Sequence, residues 1–113
     1  MKNTDSYAQM LQAVQDFHNK HEFEKYVGED MVYRVALMAE ELGEISACVS
    51  KGKSIDQLSE ECADLLILLL GSAIAAKFDL NEAFWKKMQK LSGRSSKMIK
   101  GRIRVSQFEE PYE

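Results

Sequence analysis

Helix breakers are scarce in this 113-residue sequence, which has one proline and six glycines. Proline costs a helix interior about 3 kcal/mol and glycine about 1 kcal/mol, so long uninterrupted helices are the first expectation. Cysteine is scarce as well. Cys48 and Cys62 are the only two; both fall inside helical patterns, read as small core residues, and lack the spacing of a disulfide framework. With no signal-peptide pattern, a reduced, cytoplasmic setting is expected. Charge of one sign is not in excess: a net charge of −3 is too mild to imply a nucleic-acid or membrane partner. Long apolar runs are also missing. The nearest, Leu65 to Ala76 (LLILLLGSAIAA), falls well short of the ~18 apolar residues that read as a spanning helix, and Asp64 and Lys77 bracket it. It reads as a buried core helix.

What is present is an ordinary globular balance, 45% hydrophobic and 29% charged, in a length that suits one domain. Three capping-box patterns mark helix starts. Ser6-x-x-Gln9 opens a first helix to about Lys20, Ser54-x-x-Gln57 a third to near Lys77, and Asp79-x-x-Glu82 a fourth to near Leu91. The second helix is read from its periodicity. Met31, Val35, Met38, Leu42, Ile45 and Val49 recur at steps of three and four and draw one stripe, which Gly52 ends. The segment Lys20 to Asp30 (KHEFEKYVGED) is long for a turn and reads as a candidate binding loop. Phe84 and Trp85 on the fourth helix read as core or interface anchors. Beyond Leu91 comes Ser92-Gly93 and a tail in which Arg94, Lys97, Lys100, Arg102 and Arg104 meet no acid until Glu109. Five charges without interleaved aromatics are too thin for a nucleic-acid site. The only strand candidate is a short one around Arg102 to Phe108. The expected fold is therefore all-α: a single domain over residues 1–113, with a helical core of about 5–92 and a basic tail of 93–113.

Two acidic motifs carry the chemistry, Glu40-Glu41-Leu-Gly-Glu44 on the second helix and Glu61-Cys-Ala-Asp64 on the third. Acids at i and i+3 share a helix face, and such a pair by itself reads most simply as a solvated face. Two features argue otherwise. On the helical wheel Glu41 and Glu44 fall in the arc of Leu37 and Cys48, at the border of the apolar stripe, and Glu61 and Asp64 flank the line of Leu68. A hairpin centred on Gly52-Lys53 also places Glu44 level with Glu61, and Glu41 level with Asp64. Four carboxylates then converge, and such a cluster must take up protons or a cation. An all-oxygen set suits magnesium, with manganese as the alternative, rather than zinc, and leaves coordination positions for water and phosphate oxygens. A di-iron bundle is set aside, because it needs Glu-x-x-His and neither His18 nor His21 follows a glutamate at that spacing.

The E-E-x-x-E motif, the spacer and the E-x-x-D motif resemble those of the MazG-like nucleotide pyrophosphohydrolases. That all-α group includes the dimeric dUTPases and phosphoribosyl-ATP pyrophosphohydrolase. The resemblance continues into the basic segment from Ala83 to Lys90 and Arg94, and covers roughly residues 31 to 94. One departure is Leu91, where members often carry asparagine. The resemblance implies a four-helix bundle, an antiparallel helical hairpin carrying the metal site, and magnesium-dependent hydrolysis of a (deoxy)nucleoside triphosphate to monophosphate and pyrophosphate, in nucleotide house-cleaning or pool control. It implies Glu41, Glu44, Glu61 and Asp64 as metal ligands, with Glu40 assisting or positioning water. Lys87, Lys90 and Arg94 would contact phosphates, in a homodimer or homotetramer. The apolar character of Leu65 to Leu70 on every face points the same way, to at least a dimer. The competing expectations are a non-enzymatic helical dimerisation module, and a relative acting on phosphoribosyl-ATP or a modified nucleotide.

Overall fold

Each helix begins at a side chain that caps it. In the computed structural model, which describes residues 6–105, α1 spans Tyr7–Lys20, α2 Met31–Ser50, α3 Ile55–Ala76 and α4 Leu80–Ser92. Ser54 closes a full capping box, its hydroxyl accepting from the Gln57 N–H at 3.2 Å while the Gln57 side chain accepts from the Ser54 N–H at 3.3 Å. Ser6 and Asp79 accept from the N–H groups of Gln9 and Glu82. Asp30 does the same for Tyr33 at the head of α2, a start that the apolar periodicity located without its cap. Each such cap contributes about 1 kcal/mol.

The chain divides into two compact units, Met1–Phe78 and Asp79–Glu113. In the first, α2 and α3 form a helical hairpin, and α1 lies against α3. Gly52, at φ 63°, makes the turn between α2 and α3, and Lys53 N–H closes it onto the Cys48 carbonyl at 2.9 Å. Contacts near the open end (Arg34 to Ser72) and nearer the turn (Glu41 to Glu61) fix the pair as antiparallel. The core holds Val14, Cys48, Leu70 and Ala73, together with three polar residues, His18, Arg34 and Ser72. Between α1 and α3 runs an apolar groove of about 400 Å³, lined by Met10, Val14, Phe17, Leu66, Ile67 and Leu70 among others.

The apolar stripe expected along α2 divides. Met31, Met38 and Ile45 are half-buried, but Val35, Leu42 and Val49 are exposed. The face turned to α3 carries Arg34, Leu37, Glu41 and Cys48 as well, so the true core line is displaced toward the polar residues. Gly43 sits mid-helix with nothing within 4 Å of where a Cβ would be. Cys62, expected in the core, is exposed.

The Lys20 to Asp30 segment is a string of tight turns. Phe23 N–H bonds the His18 carbonyl at 3.0 Å and Gly28 N–H the Phe23 carbonyl at 2.7 Å. The Phe23 ring stacks on His18 at 4.3 Å and closes over Gly28, where a Cβ would strike it.

In the second unit, α4 has no buried residue. Phe84 and Trp85 meet edge to face at 5.1 Å and remain exposed, so they are not core anchors. Two strands follow, β1 (Ser96–Ile99) and β2 (Arg102–Val105), paired antiparallel with Ile99 opposite Arg102. Lys100 and Gly101 both adopt positive φ, the requirement of a tight turn whose twist matches a hairpin. The strand expected around Arg102 to Phe108 is present to Val105, and Phe108 lies outside the described residues. Its partner β1 was not foreseen. No helix among the described residues is long and apolar enough to cross a membrane.

Candidate metal centre

The acids of α2 and α3 meet across the hairpin. Glu41, Glu61 and Asp64 each place one carboxylate oxygen within 4.8 Å of the others. Glu44, exposed, joins them through a hydrogen bond with the Glu61 carboxyl. Glu41 and Glu61 are half-buried, and the Oε2 atom of each is buried without a hydrogen-bond partner. Buried polar atoms are nearly always satisfied, so two orphaned oxygens in one cluster need an account.

The electrostatics say the same. Glu61 is pushed up to about 7, first by the hydrogen bond shared with Glu44, then by burial, then by the charges of Glu44, Glu41 and Asp64. Burial also raises Glu41, helped by the charges of Glu44 and Asp64. Without a cation the cluster holds protons well above the usual carboxylate range. The donor set fits a hard divalent ion: it is all oxygen, it is clustered, and two of its lone-pair-bearing atoms lack partners.

Glu40 is exposed one residue before Glu41. Lys87, Lys90 and Arg94 belong to the second unit; Lys87 and Lys90 are exposed along α4, and Arg94, half-buried, follows its end.

Two turns along α2 from Glu41 is a second charged cluster, which sequence reasoning missed. Arg34 is only 1% exposed. Its guanidinium donates to Ser72 Oγ at 3.2 Å, to the Gly28 carbonyl at 3.0 Å and to the Leu68 carbonyl at 2.8 Å. Gly71 makes this room, since a Cβ there would fall onto the Arg34 guanidinium and the His18 ring. His18 is buried beside it, its Nδ1 3.6 Å from Glu29 and without a hydrogen-bond partner. Burial, then the Arg34 charge, holds His18 below its ordinary value, against the opposing pull of Glu29. The signal for this cluster was Gly71-Ser72 interrupting an otherwise apolar run, with an arginine on the core line of α2.

The family model of the MazG nucleotide pyrophosphohydrolase domain matches residues 33–99. That is more than half of the chain and spans both acidic motifs. The chain belongs to the MazG family. No curated protein and no solved structure matches it. The all-α architecture agrees with a MazG bundle, and the MazG domain supports nucleotide pyrophosphohydrolase activity in general. Divalent metals are general in the family, and this chain has an acidic cluster of Glu41, Glu61 and Asp64.

Proposed function

We propose that this chain is a magnesium-dependent hydrolase of (deoxy)nucleoside triphosphates, releasing monophosphate and pyrophosphate. The observation that supports it most is the pair of orphaned carboxylate oxygens, Glu41 Oε2 and Glu61 Oε2, inside a cluster drawn from both family motifs. In this reading Glu41, Glu44, Glu61 and Asp64 hold Mg²⁺, with Mn²⁺ able to replace it. Such an ion supplies charge neutralisation to polyphosphate oxygens and acidifies a coordinated water.

The protein's own groups do the rest. Glu40, exposed beside the cluster, positions the attacking water and accepts its proton. Lys87, Lys90 and Arg94 contact phosphate oxygens and hold the leaving pyrophosphate through charge-assisted hydrogen bonds. We place the protein in the cytoplasm, as a homo-oligomer acting in nucleotide house-cleaning or pool control.

The deciding experiment measures pyrophosphate release from a panel of canonical and modified nucleoside triphosphates and phosphoribosyl-ATP, with Mg²⁺ and with EDTA. Release from at least one triphosphate, lost in EDTA and in Glu41→Ala or Asp64→Ala, is the expected result. Full activity in Glu41→Ala would overturn the site assignment, and release from phosphoribosyl-ATP alone would overturn the substrate class.

A further inference from the structure

The net charge of −3 hides a division along the chain. No acid stands between Glu82 and Glu109, and that stretch holds eight of the 15 lysines and arginines, while the other seven are set against all 18 acids. The basic excess runs into the hairpin of β1 and β2, with Lys100 in its turn and Arg102 and Arg104 on β2. The same hairpin is rich in aliphatics. Side chains alternate along a strand, so the register puts Met98, Ile103 and Val105 on one face and Ile99, Arg102 and Arg104 on the other. All four residues of each strand are exposed, Ile103 at 69% and Met98 at 67%. A two-stranded hairpin on its own is marginal in water, and one that leaves aliphatics wet on both faces is short of a partner surface.

We infer that this hairpin docks on an anionic lipid surface. A hollow of about 300 Å³ is lined by Ile99, Lys100, Arg102, Ile103 and Arg104, so three cations and two isoleucines border one space. A ligand that satisfies all five is an amphiphile, with a negative phosphate beside hydrocarbon. An acidic phospholipid at a bilayer surface has both parts. A nucleic acid or a free polyphosphate answers the cations alone. From Ser96 to Val105 there is no aromatic ring on which a base could stack, and the isoleucines would stay wet.

The backbone sets the depth of the contact. A two-stranded sheet has two outer edges whose N–H and C=O groups need water, so the hairpin cannot enter the hydrocarbon. Lying at headgroup level, it keeps those edges wet while its aliphatics reach the acyl boundary. Arginine and lysine bend their charged ends to the phosphates and lay their stems along apolar surface. Lys100 and Gly101, both at positive φ, hold the turn, so docking orders little that is not already ordered. An anionic bilayer attracts each cation within a Debye length of its surface and repels the acidic remainder of the chain, which brings the hairpin in first. No helix among the described residues is long and apolar enough to cross a membrane, so the contact is peripheral. Lys87, Lys90 and Arg94, used by the proposed reaction, lie outside the hairpin, and docking and turnover therefore draw on different residues.

The test is sedimentation of the whole chain with phosphatidylcholine vesicles, plain or with phosphatidylserine added, in about 0.1 M and about 1 M salt. Wild type should pellet with the anionic vesicles at low salt, and stay in solution with plain vesicles or at high salt. The double variant Arg102→Glu/Arg104→Glu, with helicity unchanged by circular dichroism, should bind the anionic vesicles more than about tenfold more weakly. Ile103→Gln should weaken binding several-fold, an effect that a surface for nucleic acid or soluble phosphate would not show. Inorganic phosphate at constant ionic strength should not release the wild type. Wild type left in solution with anionic vesicles, either variant pelleting as wild type does, release by inorganic phosphate, or a single-stranded RNA bound more tightly than the vesicles at the same salt overturns the proposal. Glu41→Ala should dock as wild type does while losing pyrophosphate release, so docking and the hydrolase reading fail separately.

Discussion

Arg34 and Glu41 stand two turns apart on α2, and each anchors a cluster of polar groups against α3. Around Arg34 the guanidinium donates to a hydroxyl and two carbonyls, and the helix opposite has given up a side chain at Gly71 to admit it. Around Glu41 the acids face one another, and two of their oxygens have no partner. In the first, each guanidinium donation finds an acceptor within the chain, and only His18 Nδ1 beside it lacks a partner. In the second, two carboxylate oxygens are left without a partner from the chain. Charge placed between two helices is thus met in two ways, by neutral acceptors of the chain at Arg34 and by further charges of its own sign at Glu41. The Arg34 cluster joins four segments, α1 through His18, the following turns through Gly28 and Glu29, α2 and α3, so it acts on folding. The acid cluster is set against the chain's own stability, and in the function proposed above it is the part that meets a ligand.

The comparison breaks most visibly at Arg34. Arg34→Leu removes three donated hydrogen bonds and leaves the Gly28 carbonyl without its partner, at about 1.5–3 kcal/mol for each charge-assisted bond lost. The expected outcome is an unfolded or barely folded chain by urea titration; a change in midpoint too small to measure would mean the network is incidental. Next in size is magnesium. Ligand at 100 times its dissociation constant stabilises the state that binds it by about 2.7 kcal/mol, so the melting temperature of wild type should rise by several degrees with Mg²⁺ and fall back with EDTA. Asp64→Asn should lose most of that rise, and no rise in wild type would favour a helical module without a metal.

Smallest is a pair of opposed pH dependences in EDTA. His18 is held below 6.5, so the unfolded chain binds its proton more readily, and stability on this account falls as pH drops below 6.5. Glu61 is raised from 4.5 to about 7, so the folded chain binds that proton more readily. Its contribution is fully present below pH 4.5 and is lost as pH rises through 7. His18→Gln should flatten the first slope and Glu61→Gln the second, both read as melting temperature against pH. If both variants keep wild-type slopes, the two clusters do not titrate as their surroundings require.

Local chemistry was legible in the sequence wherever it is local. Ser6, Ser54 and Asp79 announced helix starts because a cap is written within four residues. The matched distances of Glu41, Glu44, Glu61 and Asp64 from Gly52-Lys53 brought the acids together because a short hairpin leaves little freedom of register. Periodicity could not separate the two lines of α2, since both recur at steps of three and four, and the expected stripe took Met31, Met38 and Ile45 from one and Val35, Leu42 and Val49 from the other. An arginine adds nothing to an apolar pattern, which hid Arg34. The hairpin of β1 and β2 escaped because its signal is a two-residue turn, Lys100-Gly101, flanked by charged residues rather than by clean alternation.

Gly43 lies in the middle of α2 with open space around it. In a solitary chain alanine there would lengthen the lifetime of the helix, worth about 1 kcal/mol. Urea titration of Gly43→Ala should therefore give a higher midpoint than wild type, and a lower one would mean that another surface comes close to this turn in solution.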